Sequence, residues 1–315
     1  MKIIFLDAST IGDVPNMDEI RRLGDYAEYP VTSHEQCAER LAGADIAIVN
    51  KVIINRDVMT ASPRLRLVCV AATGMNNIDM ECAAEKGITV KNVAGYSTES
   101  VAQVTFSMVL ELLTRTHYYN EYIQSGEYSS SPIFTHLAMP FRELANKQYG
   151  IIGLGAIGKR VAAIAEAFGA HVCYYSTSGR NLDNPYKHLH LNELLQTSDI
   201  VSIHASLNEQ TRNLVGMSQL QMMKISALLV NAGRGGIVDE AALAEAIDSG
   251  IIAGAGLDVF TQEPLPSGHP LLTVRKKHKL LLLPHIAWAS VEARTLLVSR
   301  IAENIRSFME VTVLT

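Results

Sequence analysis

The sequence predicts an α/β protein made of two doubly wound parallel-sheet domains. Three observations carry this expectation. At 315 residues the chain has room for about two domains, each with a core of its own. Short apolar runs alternate with longer stretches of helical period, the pattern of parallel βα units. The runs are almost continuously apolar, as strands must be when helices cover both faces of their sheet.

Taken in order, the expected strands of the first half are residues 2–6, 45–49, 65–71 and 88–92. In the second half they are 149–153, 171–175, 199–204, 227–231, 255–259 and 279–284, six strands for one sheet. Between the halves, residues 98–124 read as one long amphipathic helix with Val101, Val104, Met108, Leu112 and Tyr119 near one stripe and Ser97 as its N-cap. Residues 290–309 form a second helix that carries the chain back, so the first domain is expected to be built from both termini. Boundaries follow at 1–98 with 287–315, and 99–286. The crossovers near 97–100 and 285–289 are expected hinges, and the cleft between domains the expected binding site.

Composition narrows the function. Apolar residues make up 48% and charged residues 19%, with Gly and Pro spread along the chain, which excludes disorder and fibrous repeats. Twenty-seven Lys and Arg against 32 Asp and Glu give a net charge of −5. The one basic run is Arg275-Lys276-Lys277, so neither nucleic acid nor an anionic membrane is an expected partner. A small molecule is. Cys37, Cys69, Cys82 and Cys173 form no CxxC pair and read as reduced, structural thiols of a cytoplasmic protein. No metal site is expected. The apolar run before Asp7 is too short for a secretion signal, and nowhere do about 18 apolar residues run together.

Gly153-Leu154-Gly155-Ala156-Ile157-Gly158 is a GxGxxG turn between a strand and the helical run 159–168. The first glycine makes the turn, the second lets backbone approach a pyrophosphate, and the third lets helix pack on strand. The helix N-terminus adds free N–H groups and a positive dipole. A ligand-free glycine turn is the alternative, but strand, helix and next strand all sit where a dinucleotide-binding unit requires. A carboxylate at the end of that next strand would accept from the 2′-OH of NAD. Here Ser176, Thr177, Ser178 and Arg180 stand instead. The cofactor is therefore NAD or NADP, with a tilt toward NADP.

Ligands of open α/β sheets bind beyond the carboxyl ends of the strands. His204, Arg234, Asp258 and His285 all fall there. Arg234, among glycines, can present a guanidinium fork to a carboxylate. His285 brings an imidazole, the side-chain type suited to general acid–base work near neutrality. Glu263 follows a strand expected beside those of Arg234 and His285, and a carboxylate on the second imidazole nitrogen would fix its tautomer.

Four motifs, GLGAIG, NAGRGGIVDE, LDVFTQEP and LPHIAW, together resemble the D-isomer-specific 2-hydroxyacid dehydrogenases, in order and over essentially the whole chain. The segments AATGMNNID (71–79) and NVAGYSTESVAQ (92–103) look most like the glycerate dehydrogenase/hydroxypyruvate reductase branch. The resemblance implies a Rossmann-type cofactor domain inserted into a flavodoxin-like substrate domain. It implies Arg234, Glu263 and His285 as the catalytic set and Asp258 at the nicotinamide carboxamide. The implied cofactor set is Gly153, Gly155, Ala156, Ile157, Gly158, Ser176, Thr177, Ser178, Arg180, His204, Thr211, Ala232 and Asp258. Thr73, Gly74 and Met75, with Lys51, would hold the substrate carboxylate beside Arg234, and Trp288 would border the substrate or pack at the hinge.

The expected activity is reversible hydride transfer between NAD(P) and a short 2-oxo acid, foremost hydroxypyruvate and D-glycerate. D-lactate or another 2-oxo acid of the same family is the alternative. A dinucleotide-sensing, corepressor-like protein is the alternative of another class, and an amino-acid dehydrogenase a third. A homodimer through residues 98–124 is implied by the resemblance and by the length of that helix.

Overall fold

A computed structural model describes residues 1–180 and 182–313. They fall into two compact units, Met1–Ser97 joined by the chain from Ala289 onward, and Thr98–Trp288.

The first unit alternates β1 (Lys2–Phe5), α1 (Asp18–Arg21), β2 (Asp25–Glu28), α2 (His34–Leu41), β3 (Ile46–Val49), α3 (Arg56–Ala61), β4 (Leu67–Val70), α4 (Met80–Glu85) and β5 (Thr89–Lys91). The strands form one parallel sheet in the order β2-β1-β3-β4-β5, the flavodoxin-like order. β3 and β4 are buried along their whole length, which is why they read as apolar runs. β2 was not expected. Its sequence, Asp-Tyr-Ala-Glu, lies on the sheet edge with three of four residues exposed, so it has no buried face to leave a pattern. Asn55 and Asp79 start α3 and α4, their side chains accepting from the N–H of Val58 (3.1 Å) and Cys82 (2.9 Å).

Strand order reverses between β1 and β3, and there the buried Asp7 closes the turn after β3. Its carboxylate accepts the N–H groups of Asn50 (2.9 Å), Lys51 (2.6 Å) and Val52 (3.1 Å). Burial pushes its pKa up, and these three bonds pull it back. Asp7→Ala leaves the three donors without an acceptor and is expected to cost about 2–4 kcal/mol in urea unfolding. A loss under about 1 kcal/mol would show that water replaces the carboxylate.

The second unit runs α5 (Thr98–Thr114), α6 (Thr116–Gln124), β6 (Gln148–Ile152), α7 (Ala156–Ala167), β7 (His171–Tyr175), β8 (Lys187–His188), α8 (Leu191–Thr197), β9 (Ile200–Ile203), α9 (Met217–Met222), β10 (Leu228–Asn231), α10 (Glu240–Ser249), β11 (Gly254–Leu257) and β12 (Leu280–Leu282). Its parallel sheet has the order β12-β11-β10-β9-β6-β7-β8, the Rossmann order with one further strand. The sequence predicts six strands here and the structure has seven. The extra one, β8, is two exposed residues long and carries no apolar signal. Among the described residues, two apolar clusters fill this unit. One contains Val201, Leu229, Leu243 and Ile247, the other Met108, Leu112, Tyr149 and Val161.

The single helix expected over 98–124 is two. Arg115 takes a left-handed conformation (φ 57°), ending α5, and its guanidinium donates to the His278 carbonyl. Glu111 then caps α6, accepting from the Thr116 hydroxyl and the His117 N–H. The apolar stripe of α5 is core of its own unit, with Val101, Met108 and Leu112 buried. The last helix, α11 (Val291–Val313), returns to the first unit, where Arg294 donates to the carbonyls of Ile11 (2.8 Å) and Asp13 (3.0 Å). Among the described residues no helix is long and apolar enough to cross a membrane.

Candidate active site

Strand register, rather than any one motif, assembles the site. Ile152 pairs with Ile203, so Gly153 and His204 leave the sheet side by side. Asn231 pairs with both Ile203 and Leu257, which brings Ala232 and Asp258 level with them. Leu257 pairs with Leu282, three residues before His285. The carboxyl ends of five adjacent strands therefore line one edge of the second unit.

At the β6 end, Gly155 is the N-cap of α7 and faces open space, with nothing within 4 Å of where a Cβ would stand. The first-turn N–H groups of α7, from Ala156 and Ile157 onward, make this space suited to an anion. A Cβ on Gly158 would overlap the carbonyl oxygen of Gly153, so helix and turn are in direct backbone contact. Ser176, Thr177, Ser178 and Arg180 form the turn after β7. There the Ser176 hydroxyl donates to the Arg180 carbonyl (2.7 Å), the Arg180 N–H to Ser178 Oγ (3.3 Å), and the Arg180 side chain is exposed. No carboxylate stands in that turn.

His204 is held from below by Ser202, whose hydroxyl lies 3.0 Å from Nε2, while the buried Nδ1 has no partner among the described residues. Burial pushes the imidazole down from the ordinary 6.5 to about 3. Between those values the unfolded chain binds the proton and the folded one does not. The contribution of His204 is thus complete above pH 6.5 and lost as pH falls toward 3. His204→Gln is expected to flatten the loss of stability across that window by up to about 1.4 kcal/mol per pH unit. Urea midpoints measured at several pH values check it, and an unchanged slope would mean that the imidazole is hydrated.

Arg234 lies beyond β10 on a turn shaped by Asn231. The Asn231 side chain accepts from the Gly233 N–H (3.0 Å) and donates to the Arg234 carbonyl (2.9 Å). The guanidinium is exposed and folds onto the Gly233 carbonyl (2.8 Å). Asn231 is a site-shaping residue that the sequence reading missed, although it begins the NAGRGG motif.

Glu263 and His285 come together: Glu263 Oε2 is 2.7 Å from His285 Nδ1. Glu263 is itself fixed, because its Oε1 accepts the Phe260 N–H at 2.9 Å. His285 sits in the left-handed region (φ 54°), unusual for a side chain with a Cβ. Asp258, 1% exposed, holds that conformation from the next residues, accepting the N–H groups of Ile286 (2.8 Å) and Ala287 (2.9 Å). Burial raises the Asp258 pKa, against those two bonds and the nearby imidazole.

Two expected residues are also engaged within their own unit. Thr211 is 1% exposed and its hydroxyl donates to the Ser206 carbonyl and accepts the Asn208 N–H (2.8 Å each), so it holds the 206–211 turn. Trp288 is partly buried against the cluster that contains Met108 and Tyr149, which favours the packing alternative. Lys51, Thr73, Gly74 and Met75 lie in the first unit, beyond the carboxyl ends of β3 and β4. Thr73 Oγ1 donates to the Val93 carbonyl (3.1 Å) and the Asn92 side chain to the Thr73 carbonyl (2.6 Å).

With this geometry in place, comparison with known proteins is decisive. The family profile of the D-isomer specific 2-hydroxyacid dehydrogenase NAD binding domain matches residues 106–287. The chain belongs to the D-isomer specific 2-hydroxyacid dehydrogenases. It is similar over 98% of its length to the glycerate dehydrogenase of Methylorubrum extorquens, at 36% identity over 309 residues and 96% of that protein. Among solved structures it resembles the D-lactate dehydrogenase of Aquifex aeolicus complexed with NAD and lactic acid (TM-score 0.84, 26% identity, 98% and 96% of the two chains). It also resembles the NADPH-dependent glyoxylate/hydroxypyruvate reductase of Sinorhizobium meliloti, solved with NADP and malonate (TM-score 0.82, 26% identity, 98% and 93%). The dehydrogenase is an NAD(P)-dependent oxidoreductase acting on the CH–OH group of 2-hydroxyacids. The open N-terminus of α7 and the Nδ1 of His204, which has no partner among the described residues, fit such a dinucleotide.

Proposed function

We propose that this dehydrogenase interconverts hydroxypyruvate and D-glycerate, with pyruvate and D-lactate as the alternative pair. The observation that carries the chemistry is the 2.7 Å contact between Glu263 and His285 on the sheet whose GLGAIG turn opens α7. Gly153, Gly155, Ala156, Ile157 and Gly158 would hold the cofactor pyrophosphate, with His204 and Ala232 beside it and Ser176, Thr177, Ser178 and Arg180 at the ribose. The bound nicotinamide supplies a hydride to C2 in reduction and accepts it in oxidation. Arg234 binds the substrate carboxylate and polarises the 2-oxo group. Protonated His285 gives its proton to the 2-oxo oxygen, so hydride and proton together make the alcohol. Glu263 on Nδ1 keeps Nε2 toward the substrate and stabilises the imidazolium. Oxidation uses neutral His285 as base. In the first unit, Lys51 and the backbone at Thr73, Gly74 and Met75 are the proposed carboxylate contacts.

NADP is the proposed preference, because hydroxyls and Arg180 stand where a carboxylate would repel the 2′-phosphate. Cytoplasm is the proposed compartment, in keeping with four free, buried cysteines. The proposed assembly is a homodimer. Support comes from Ile133, Phe134, Leu137 and Phe141, which are 59–89% exposed along one segment after α6. A monomer at micromolar concentration in light scattering would remove it.

The deciding assay follows loss of reduced-nicotinamide absorbance with hydroxypyruvate, glyoxylate, pyruvate and phenylpyruvate, each with NADH and NADPH. Fastest turnover of hydroxypyruvate with NADPH is the expected result. Preference for NADH would end the NADP assignment. Dinucleotide binding without turnover of any 2-oxo acid would favour the sensing alternative.

A further inference from the structure

Behind the Glu263–His285 pair stands a second carboxylate–imidazole pair that the reaction does not use. Glu240, at the start of α10, is 7% exposed, and its Oε1 accepts both the N–H (2.6 Å) and the hydroxyl (2.9 Å) of Thr261. Its Oε2 lies 2.9 Å from His269 Nε2. His269 Nδ1 accepts the Leu271 N–H at 3.3 Å, so Nε2 carries the proton and donates to Glu240. The carboxylate thus has three donors in a place where an unpaired charge would be strongly unfavourable.

What these bonds grip is an exposed turn. Residues 261–264 are exposed, so apolar burial does not hold them, yet Glu263 must stay on His285. Glu240 fastens the turn at Thr261, two residues before Glu263, while Glu263 Oε1 fastens it at Phe260. On its other side the turn meets backbone: a Cβ on Gly235 would overlap the Phe260 carbonyl and stand 2.5 Å from Thr261 N. Gly235 follows Arg234, and α10 begins five residues further on.

We propose that Glu240, oriented by His269, is a positioning residue that locks the Phe260–Glu263 turn and so holds Glu263 on His285 in register with the Arg234 turn. It touches neither substrate nor cofactor. The proposal rests on the reading of Glu263 and His285 given above.

A kinetic cycle with hydroxypyruvate and NADPH tests it, with NADPH binding read separately by fluorescence. Glu240→Gln sets an amide donor against a donor of His269 or Thr261 and is expected to lower kcat about 10-fold, with NADPH Kd within about 2-fold of the parent. Thr261→Val, at an exposed position that does not endanger folding, should lower kcat several-fold, and Thr261→Ser should restore it. If Glu240→Gln does not accumulate folded, the Thr261 pair decides. Because Glu240 acts through Glu263, Glu240→Gln/Glu263→Gln should fall no lower than Glu263→Gln alone. Parental kcat in both Glu240→Gln and Thr261→Val, a loss confined to NADPH Kd, or a double variant showing the product of the single losses would each overturn the positioning role while leaving the Glu263–His285 reading intact. Parental kcat in Glu263→Gln would remove that reading and the proposal with it.

Discussion

His285→Ala is expected to lower turnover of hydroxypyruvate by about 10²–10⁴-fold, with NADPH affinity nearly unchanged. The size follows from the proposed role, a proton given to an oxygen that becomes strongly basic as hydride reaches C2. Glu263 holds one ring nitrogen at 2.7 Å and leaves the other for the substrate. Backbone strain has to be separated from chemistry, because position 285 has φ 54° and Ala tolerates this region less well than Asn. His285→Asn is therefore the companion variant. Both should lose turnover alike, since neither can carry the proton, and Asn should keep the parental melting temperature more closely. Steady-state kinetics with a fluorescence titration of NADPH checks this, and near-normal turnover in either variant would refute the acid–base assignment.

Gly158→Ala is expected to destabilise the protein by about 3 kcal/mol or more and to weaken NADPH binding at least about 100-fold. The added methyl would overlap the Gly153 carbonyl oxygen and approach the Ile151 side chain (3.3 Å). A flexible side chain could step aside, but a carbonyl in the β6–α7 turn can move only if the turn opens. Opening it tilts the first N–H groups of α7 away from the pyrophosphate they are proposed to meet. Gly155→Ala is a useful contrast, because a Cβ there meets no protein atom. Its expected effect is weaker dinucleotide binding with little change in stability. Thermal unfolding with and without NADPH separates the two, and a Gly158→Ala protein of parental stability would show that α7 can shift without harm.

The two sheets were legible because their central strands are buried on both faces. β3, β4, β9 and β10 are buried from end to end, and short, almost wholly apolar runs between turn signals suit a strand covered on both faces better than any exposed element. The same reasoning shows why β2 and β8 escaped notice: exposed edge strands of polar residues are stabilised by backbone pairing, which leaves no side-chain pattern. The break at Arg115 was hidden for a different reason. Nothing in Thr114-Arg115-Thr116 forbids a helix, and the turn exists because Glu111 and the His278 carbonyl reward it.

At the site, residue types at the strand ends made Arg234, Glu263 and His285 candidates, and it was the resemblance carried by the four motifs that joined them into one catalytic set. Sequence could also place the glycine turn, because each glycine answers a local steric demand. Thr211, which the resemblance alone put in the cofactor set, has its hydroxyl engaged in closing the 206–211 turn, a contact that no motif announces. Sequence by itself determined the two parallel-sheet units, the dinucleotide turn and the residue types available for acid–base work, because these depend on periodicity and local backbone geometry. Only the tertiary structure decided that Glu263 meets His285, that Asp258 holds the segment after it, and that Glu240 and His269 grip the turn behind. Those contacts join residues 21 to 29 positions apart, and their geometry is set by strand register and burial rather than by any neighbouring residue.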